Sequence, residues 1–249
     1  MIGLLLVLAA GLWAGAQNAL AGGGSFVTLP TLILAGLDPR AANITSTIAL
    51  FPGQVTTGWV GRRNVSGAEG LSFRSLVLLS LAGGVCGAVL LLLTPVSFFA
   101  RLVPWLVLFA TAMFAWGSFF KKPQQAGAGP RLGPRGASVA QFLIAVYGGY
   151  FGGGIGFLML AALTLAGLAT RTAASTKNVL AAVMNASAVA IFCFFPGVGW
   201  RQGAALAIGA MLGGLIGAWS LHRVNEKVLR VAVVVIGVAL TIGLFLRRV

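Results

Sequence analysis

The chain has 249 residues, 59% of them hydrophobic and 8% charged, with a mean hydropathy of +1.00, more than any soluble core of this size requires. A net charge of +14 would suggest nucleic acid in a soluble protein. Here the basic residues sit in short segments between apolar runs, the charge bias of a multi-pass membrane protein, so the expected surroundings are a lipid bilayer and no nucleic acid.

Taken in chain order, the first apolar segment is residues 2–20, ending in Gln17 and Asn18. Gly22, Gly23 and Gly24 follow, and then a second apolar run, 25–37, too short to span comfortably at about 1.5 Å per residue. The pair reads as a re-entrant hairpin, or as a span followed by a broken half-helix; irregular backbone at that depth is tolerable only against protein or a wet cavity. Full-length spans are expected at 44–60, 71–93 and 98–120, the first with a kink at Pro52-Gly53. Residues 121–136, rich in Pro, Gly and basic charge, form a linker. The plan then repeats: a short pair at 138–151 and 155–168, and spans at 178–196, 203–221 and 228–246.

The second half also repeats the first in detail. At an offset of 131, Gly22 meets Gly153, Gly23 meets Gly154, Phe26 meets Phe157, and Ala35-Gly36-Leu37 meets Ala166-Gly167-Leu168. Arg40 meets Arg171, Thr45 meets Thr176, and Gln54 meets Asn185. Gly83-Gly84-x-x-Gly87-Ala88 returns as Gly213-Gly214-x-x-Gly217-Ala218. The chain therefore reads as two repeats, 1–120 and 137–249, joined by the linker. The basic residues divide 12 against 5 of 17 between the two sides of the bilayer, which puts the linker in the cytoplasm and both termini outside. Each half has an odd number of crossings, so the copies are inverted. The expected fold is all-α and polytopic: two inverted repeats, each a broken pair plus three transmembrane helices, about eight hydrophobic spans within a range of 6–10.

The candidate site follows from that symmetry. Half-helices starting after Gly22-Gly23-Gly24 and after Gly152-Gly153-Gly154 would aim unpaired N–H groups and positive dipole ends at the protein centre, a place for an anion to which Ser25 could add a hydroxyl. The bland alternative is close helix packing at glycine. Thr45 and Ser46, with Thr176, Lys177 and Asn178, fall where a helix enters the membrane and read as caps that can also present donors. Lys177 either snorkels to the interface or meets a negative charge. Gln54 and Asn185 are either interhelical hydrogen-bond partners or pathway residues. Asn18 is a weaker candidate, and Arg40 and Arg171 read as boundary or packing residues. Cys86 and Cys193 show no metal-ligand spacing and are expected as buried small residues. Met1-Ile2-Gly3 lacks the basic start of a cleaved leader.

Absences narrow the chemistry. Asp38, Glu69 and Glu226 are the only acids and all fall in turns or loops, leaving little material for a proton relay or a sodium cage. His222 sits at a basic loop, and no nucleotide-binding loop or hydrolytic triad is present, so neither an enzyme nor a cofactor is expected.

GGGSFVTLP, the following AGLDPRAANITST, and the later YGGYFGGGIGF with TRTAASTKN resemble the TauE/SafE sulfite-exporter family, also called the four-toluene sulfonate uptake permeases or DUF81. The resemblance covers essentially the whole chain. It implies a carrier of the bacterial inner membrane, working by alternating access, with members associated with sulfite, sulfonates and other small organic anions. The substrate itself, and whether the protein forms a homo-oligomer, do not carry over. A passive anion channel and a non-transporting membrane scaffold are the rival readings.

Overall fold

The computed structural model describes residues 2–20, 24–68, 70–120, 132–220 and 226–246. Among them the chain is helical throughout, in ten α-helices with one isolated bridge between Ala68 and Leu71. The first five are α1 (Ile2–Leu20), α2 (Ser25–Leu34), α3 (Pro39–Gly61), α4 (Phe73–Leu93) and α5 (Val96–Ala115), the last continuing into a π-helical turn, Trp116–Phe120. The other five are α6 (Pro134–Tyr150), α7 (Ile155–Leu165), α8 (Thr170–Phe192), α9 (Trp200–Ser220) and α10 (Glu226–Leu246). The two sets match in order and nearly in length.

By length and composition, two helices among the described residues are apolar enough to cross a membrane, Phe73–Leu93 and Val96–Phe119. The expected count of about eight such spans is therefore larger than these criteria return. α2 and α7 are simply short, at 10 and 11 residues, about 15 Å each against a hydrocarbon core of roughly 30 Å. α3 and α8 have the length, 23 residues each, but Asn43, Thr45, Ser46, Thr176, Lys177 and Asn185 dilute their hydropathy.

The short helices end alike. At Gly36 φ is +96°, and Leu37 N–H reaches back to the Leu32 carbonyl; at Gly167 φ is +91°, and Leu168 N–H reaches the Leu163 carbonyl. Both Ala-Gly-Leu triplets are thus left-handed helix-terminating turns, which a glycine makes without steric cost. The next helices start earlier than the sequence suggests. Asp38 Oδ1 accepts from Arg40 N–H and Ala41 N–H at 3.0 Å each, with Pro39 at the first helical position, so the cap of α3 is Asp38. Thr45 and Ser46 therefore lie in the second turn, and Thr176, Lys177 and Asn178 lie inside α8, where none can cap. Pro52 lies inside a continuous α3.

The halves of the sequence interleave in space. α1 packs on α9 and α6 on α4; α3 packs on α9 and α8 on α4; α2 meets α10 and α7 meets α5. α3 packs on α8 and α5 on α10. Exchanging the two sets of five helices leaves this pattern of main contacts unchanged. The repeated glycine motifs make the tightest of these interfaces. A Cβ on Gly83 would stand 2.8 Å from the Phe142 carbonyl oxygen, and one on Gly213 would stand 2.8 Å from Leu12 Cα. Only glycine lets those backbones approach so closely. Cys86 and Cys193, expected inside, are exposed, because they fall on outward faces of α4 and of the end of α8.

Candidate functional site

Two interruptions define the centre. Between α1 and α2, Asn18 Oδ1 accepts from Gly24 N–H at 2.8 Å, closing the turn into α2. Between α6 and α7, Gly152 and Gly154 take φ of +80° and +75°, and Tyr147 Oη donates to the Gly153 carbonyl at 2.8 Å. Gly22 and Gly23 lie outside the described residues. The interruptions share one pocket. Ser25 and Phe26 of α2, Asn43 of α3, and Phe151 and Gly153 of the α6–α7 turn line it, with Leu240 and Leu244 of α10 along one wall. It is small, about 10 Å³, on the order of one water. Phe26 and Phe157, repeat partners in the sequence, both pack edge-on against Phe114, with ring centres 6.3 and 4.5 Å away.

The other candidates fall into three groups. Gln54 and Asn185 bond to each other: Asn185 Nδ2 donates to Gln54 Oε1 at 2.6 Å across the α3–α8 contact. Residues that correspond by repeat and also touch must lie where the two halves cross. Thr45 and Thr176 are engaged on backbone of the opposite half. Thr45 Oγ1 accepts from Gly199 N–H at 3.0 Å, and Thr176 Oγ1 accepts from Ser66 N–H at 3.1 Å. Each threonine holds the loop that leads into the other half's fourth helix. Ser46 Oγ pairs with Thr28 Oγ1 at 2.6 Å, tying α2 to α3 in the buried interior.

Lys177 stands apart. Its Nζ lies 3.6 Å from where a Cβ on Gly156 would be, beside the first turn of α7. The Asn178 backbone carbonyl borders Gly58 where α3 crosses α8. Arg40 donates from Nη1 to the carbonyls of Leu92 and Thr94 at 3.2 and 3.0 Å and lies over the Phe195 ring. It is a packing residue that closes the end of α4, while Arg171 is exposed.

Sequence reasoning missed Thr28, Asn43, Tyr147 and Gly156. Asn43 is buried and donates from Nδ2 to the Tyr150 carbonyl at 3.1 Å, fastening α3 to the end of α6. Thr28 sits in an apolar run and Asn43 among helix-start residues, so neither stood out without its partner. Among the described residues no group of acids, histidines and cysteines could hold a metal.

Fold and site together define a class: a helical protein of membrane type whose two helix interruptions border one small pocket. The chain belongs to the sulfite exporter TauE/SafE family, whose model matches residues 7–244. It is similar to the probable membrane transporter protein ORF9 of Sinorhizobium sp., 31% identical over 97% of this chain and 92% of that one. It is also similar to a probable membrane transporter protein of Haemophilus influenzae, 26% identical over 96% and 92% of the two chains. YfcA of Escherichia coli K12, likewise named a probable membrane transporter, is 26% identical over 97% of this chain and 88% of its own.

Proposed function

We propose that the protein is a secondary transporter of a small anion, of the sulfur-oxyanion or organic-anion kind, working without catalysis by alternating access. The observation that carries this reading is the meeting of the two helix interruptions at one small pocket. Each interruption is followed by a half-helix whose first N–H groups have no intrahelical partner and carry a positive partial charge. The membrane-transporter names of relatives that align along nearly the full chain support it.

In this reading residues 1–120 and 137–249 are inverted repeats joined by a cytoplasmic linker at 121–136, in the bacterial inner membrane with both termini outside. The exchange symmetry of helix packing and the Gln54–Asn185 contact support the repeat. A pocket that admits about one water fits a carrier, which must move to open, better than a standing pore.

The test is binding to the detergent-purified protein. A ligand that binds only the folded state raises the melting temperature as its concentration rises. Sulfite, thiosulfate, short sulfonates and small carboxylates should include a class that does so, and Gly154→Leu should abolish the shift. Position 154 is left-handed, and any Cβ there would stand 3.3 Å from Ala110, so the α7 N-terminus must shift in that variant. A flat panel on protein that melts cooperatively would contradict the reading.

A further inference from the structure

The pocket occupies one of two places that the repeat makes equivalent. In α5 and α10 the repeat runs at an offset of 130, as in the Gly-Gly-x-x-Gly-Ala motifs, so Thr111 meets Thr241. Of the pocket's walls, Phe26 of α2 then corresponds to Phe157 of α7, and Leu244 of α10 corresponds to Phe114 of α5. Along α2 these walls enclose space; along α7 the equivalent space holds the Phe114 ring. Phe114 is fully buried, with its ring centre 4.5 Å from that of Phe157. Smaller residues make room for it: Ala110 stands where the pocket has Leu240, and Gly237 where it has Val107.

The same ring closes the way between the two places. Phe26 lines the pocket and packs edge-on against Phe114, which in turn packs edge-on against Phe157. Phe157 is seated on Gly117, in the π-helical turn that follows Phe114, where a Cβ would stand 3.0 Å from its ring. Three packed hydrocarbon rings offer no hydrogen-bond donor, and an anion stripped of water among them is strongly disfavoured. Apolar constrictions shut a path to ions without any charged group. Because Phe114 touches both other rings, withdrawing it breaks the barrier at a single position.

We propose that Phe114 is the gate on the α7 side of the transporter: its ring bars passage between the pocket and α7, and leaves Phe157 when the cargo crosses. This rests on the transporter reading above and adds to it the residue that keeps transport coupled. In the inverted-repeat reading α2 and α7 lead to opposite faces of the membrane, so a chain with this ring in place is open to at most one face.

The test is efflux from liposomes containing the purified full chain and loaded with radiolabelled sulfite, methanesulfonate or malonate. In wild type, efflux of at least one probe should require the same anion outside, with little net loss into anion-free buffer. Phe114→Ala should raise that net loss at least about tenfold and free it from external anion, since the constriction is gone. Phe114→Met keeps most of the volume and should retain the requirement for external anion. Phe99→Ala removes an equally buried ring of the same helix, packed on Tyr150 instead, and should leave the net loss at the wild-type level. Phe114→Leu, which installs the residue of the α10 counterpart, should also leak and serves if Phe114→Ala does not fold. Wild-type exchange with no added loss in a folded Phe114→Ala or Phe114→Leu, or equal loss in Phe99→Ala, overturns the gate and leaves the transporter reading standing. No protein-dependent movement of any probe, in wild type or in the Phe114 variants, overturns both.

Discussion

At the scale of single residues, four of the candidate site residues, Gln54, Asn185, Thr45 and Thr176, make hydrogen bonds between the two halves. The offset of 131 identifies Gln54 and Asn185 as counterparts, but contact between them depends on how α3 crosses α8, which no local pattern encodes. Asn185→Leu leaves the Gln54 carbonyl oxygen without this donor, and a lower melting temperature is expected. The double variant Gln54→Leu/Asn185→Leu should recover part of the loss, with a coupling of about 0.5–2 kcal/mol in a double-mutant cycle; strict additivity would mean the bond contributes nothing. Thr45 and Thr176 make a second pair of this kind. Thr45→Val takes the acceptor from Gly199 N–H and Thr176→Val takes it from Ser66 N–H, each expected to cost about 1 kcal/mol. Hydrogen exchange at those two amides should accelerate, each in its own variant only.

At the scale of elements, the breaks were legible because glycine, proline and length leave direct marks. Gly36 and Gly167 end α2 and α7 as their shared triplets suggest, and most of the five helices in each half begin and end within a few residues of their apolar runs. Helix starts were less legible. The Thr45-Ser46 cluster carries the usual capping residues, yet Asp38 and Pro39 upstream take that role, because an Asp with proline at the first helical position meets the unpaired N–H groups sooner. The purpose of the paired Gly-Gly-x-x-Gly-Ala motifs was also hidden, since their partners, α6 and α1, lie far away in the chain. Gly83→Leu and Gly213→Leu should therefore prevent normal folding, seen as loss of a monodisperse peak in size-exclusion chromatography. Gly53→Ala, where nothing lies within 4 Å of the added methyl, should leave that peak intact and raise stability by about 1 kcal/mol, the helix-propensity difference.

At the scale of the whole molecule, composition was enough to indicate a helical membrane protein, and internal similarity was enough to indicate two related halves. What sequence did not reveal is that the halves trade partners, α1 resting on α9 and α6 on α4. That interleaving follows from glycine faces that match only in three dimensions. Under the carrier proposal this interleaving has a mechanical consequence: access to the pocket would alternate by movement of helices within one interlocked unit, not by separation of the two halves. The most direct test of this account is counterflow in liposomes containing the purified protein, loaded with an anion that shifts its melting temperature. Labelled anion outside should accumulate transiently, and entry should saturate with concentration. Entry that neither saturates nor depends on anion inside would contradict a carrier.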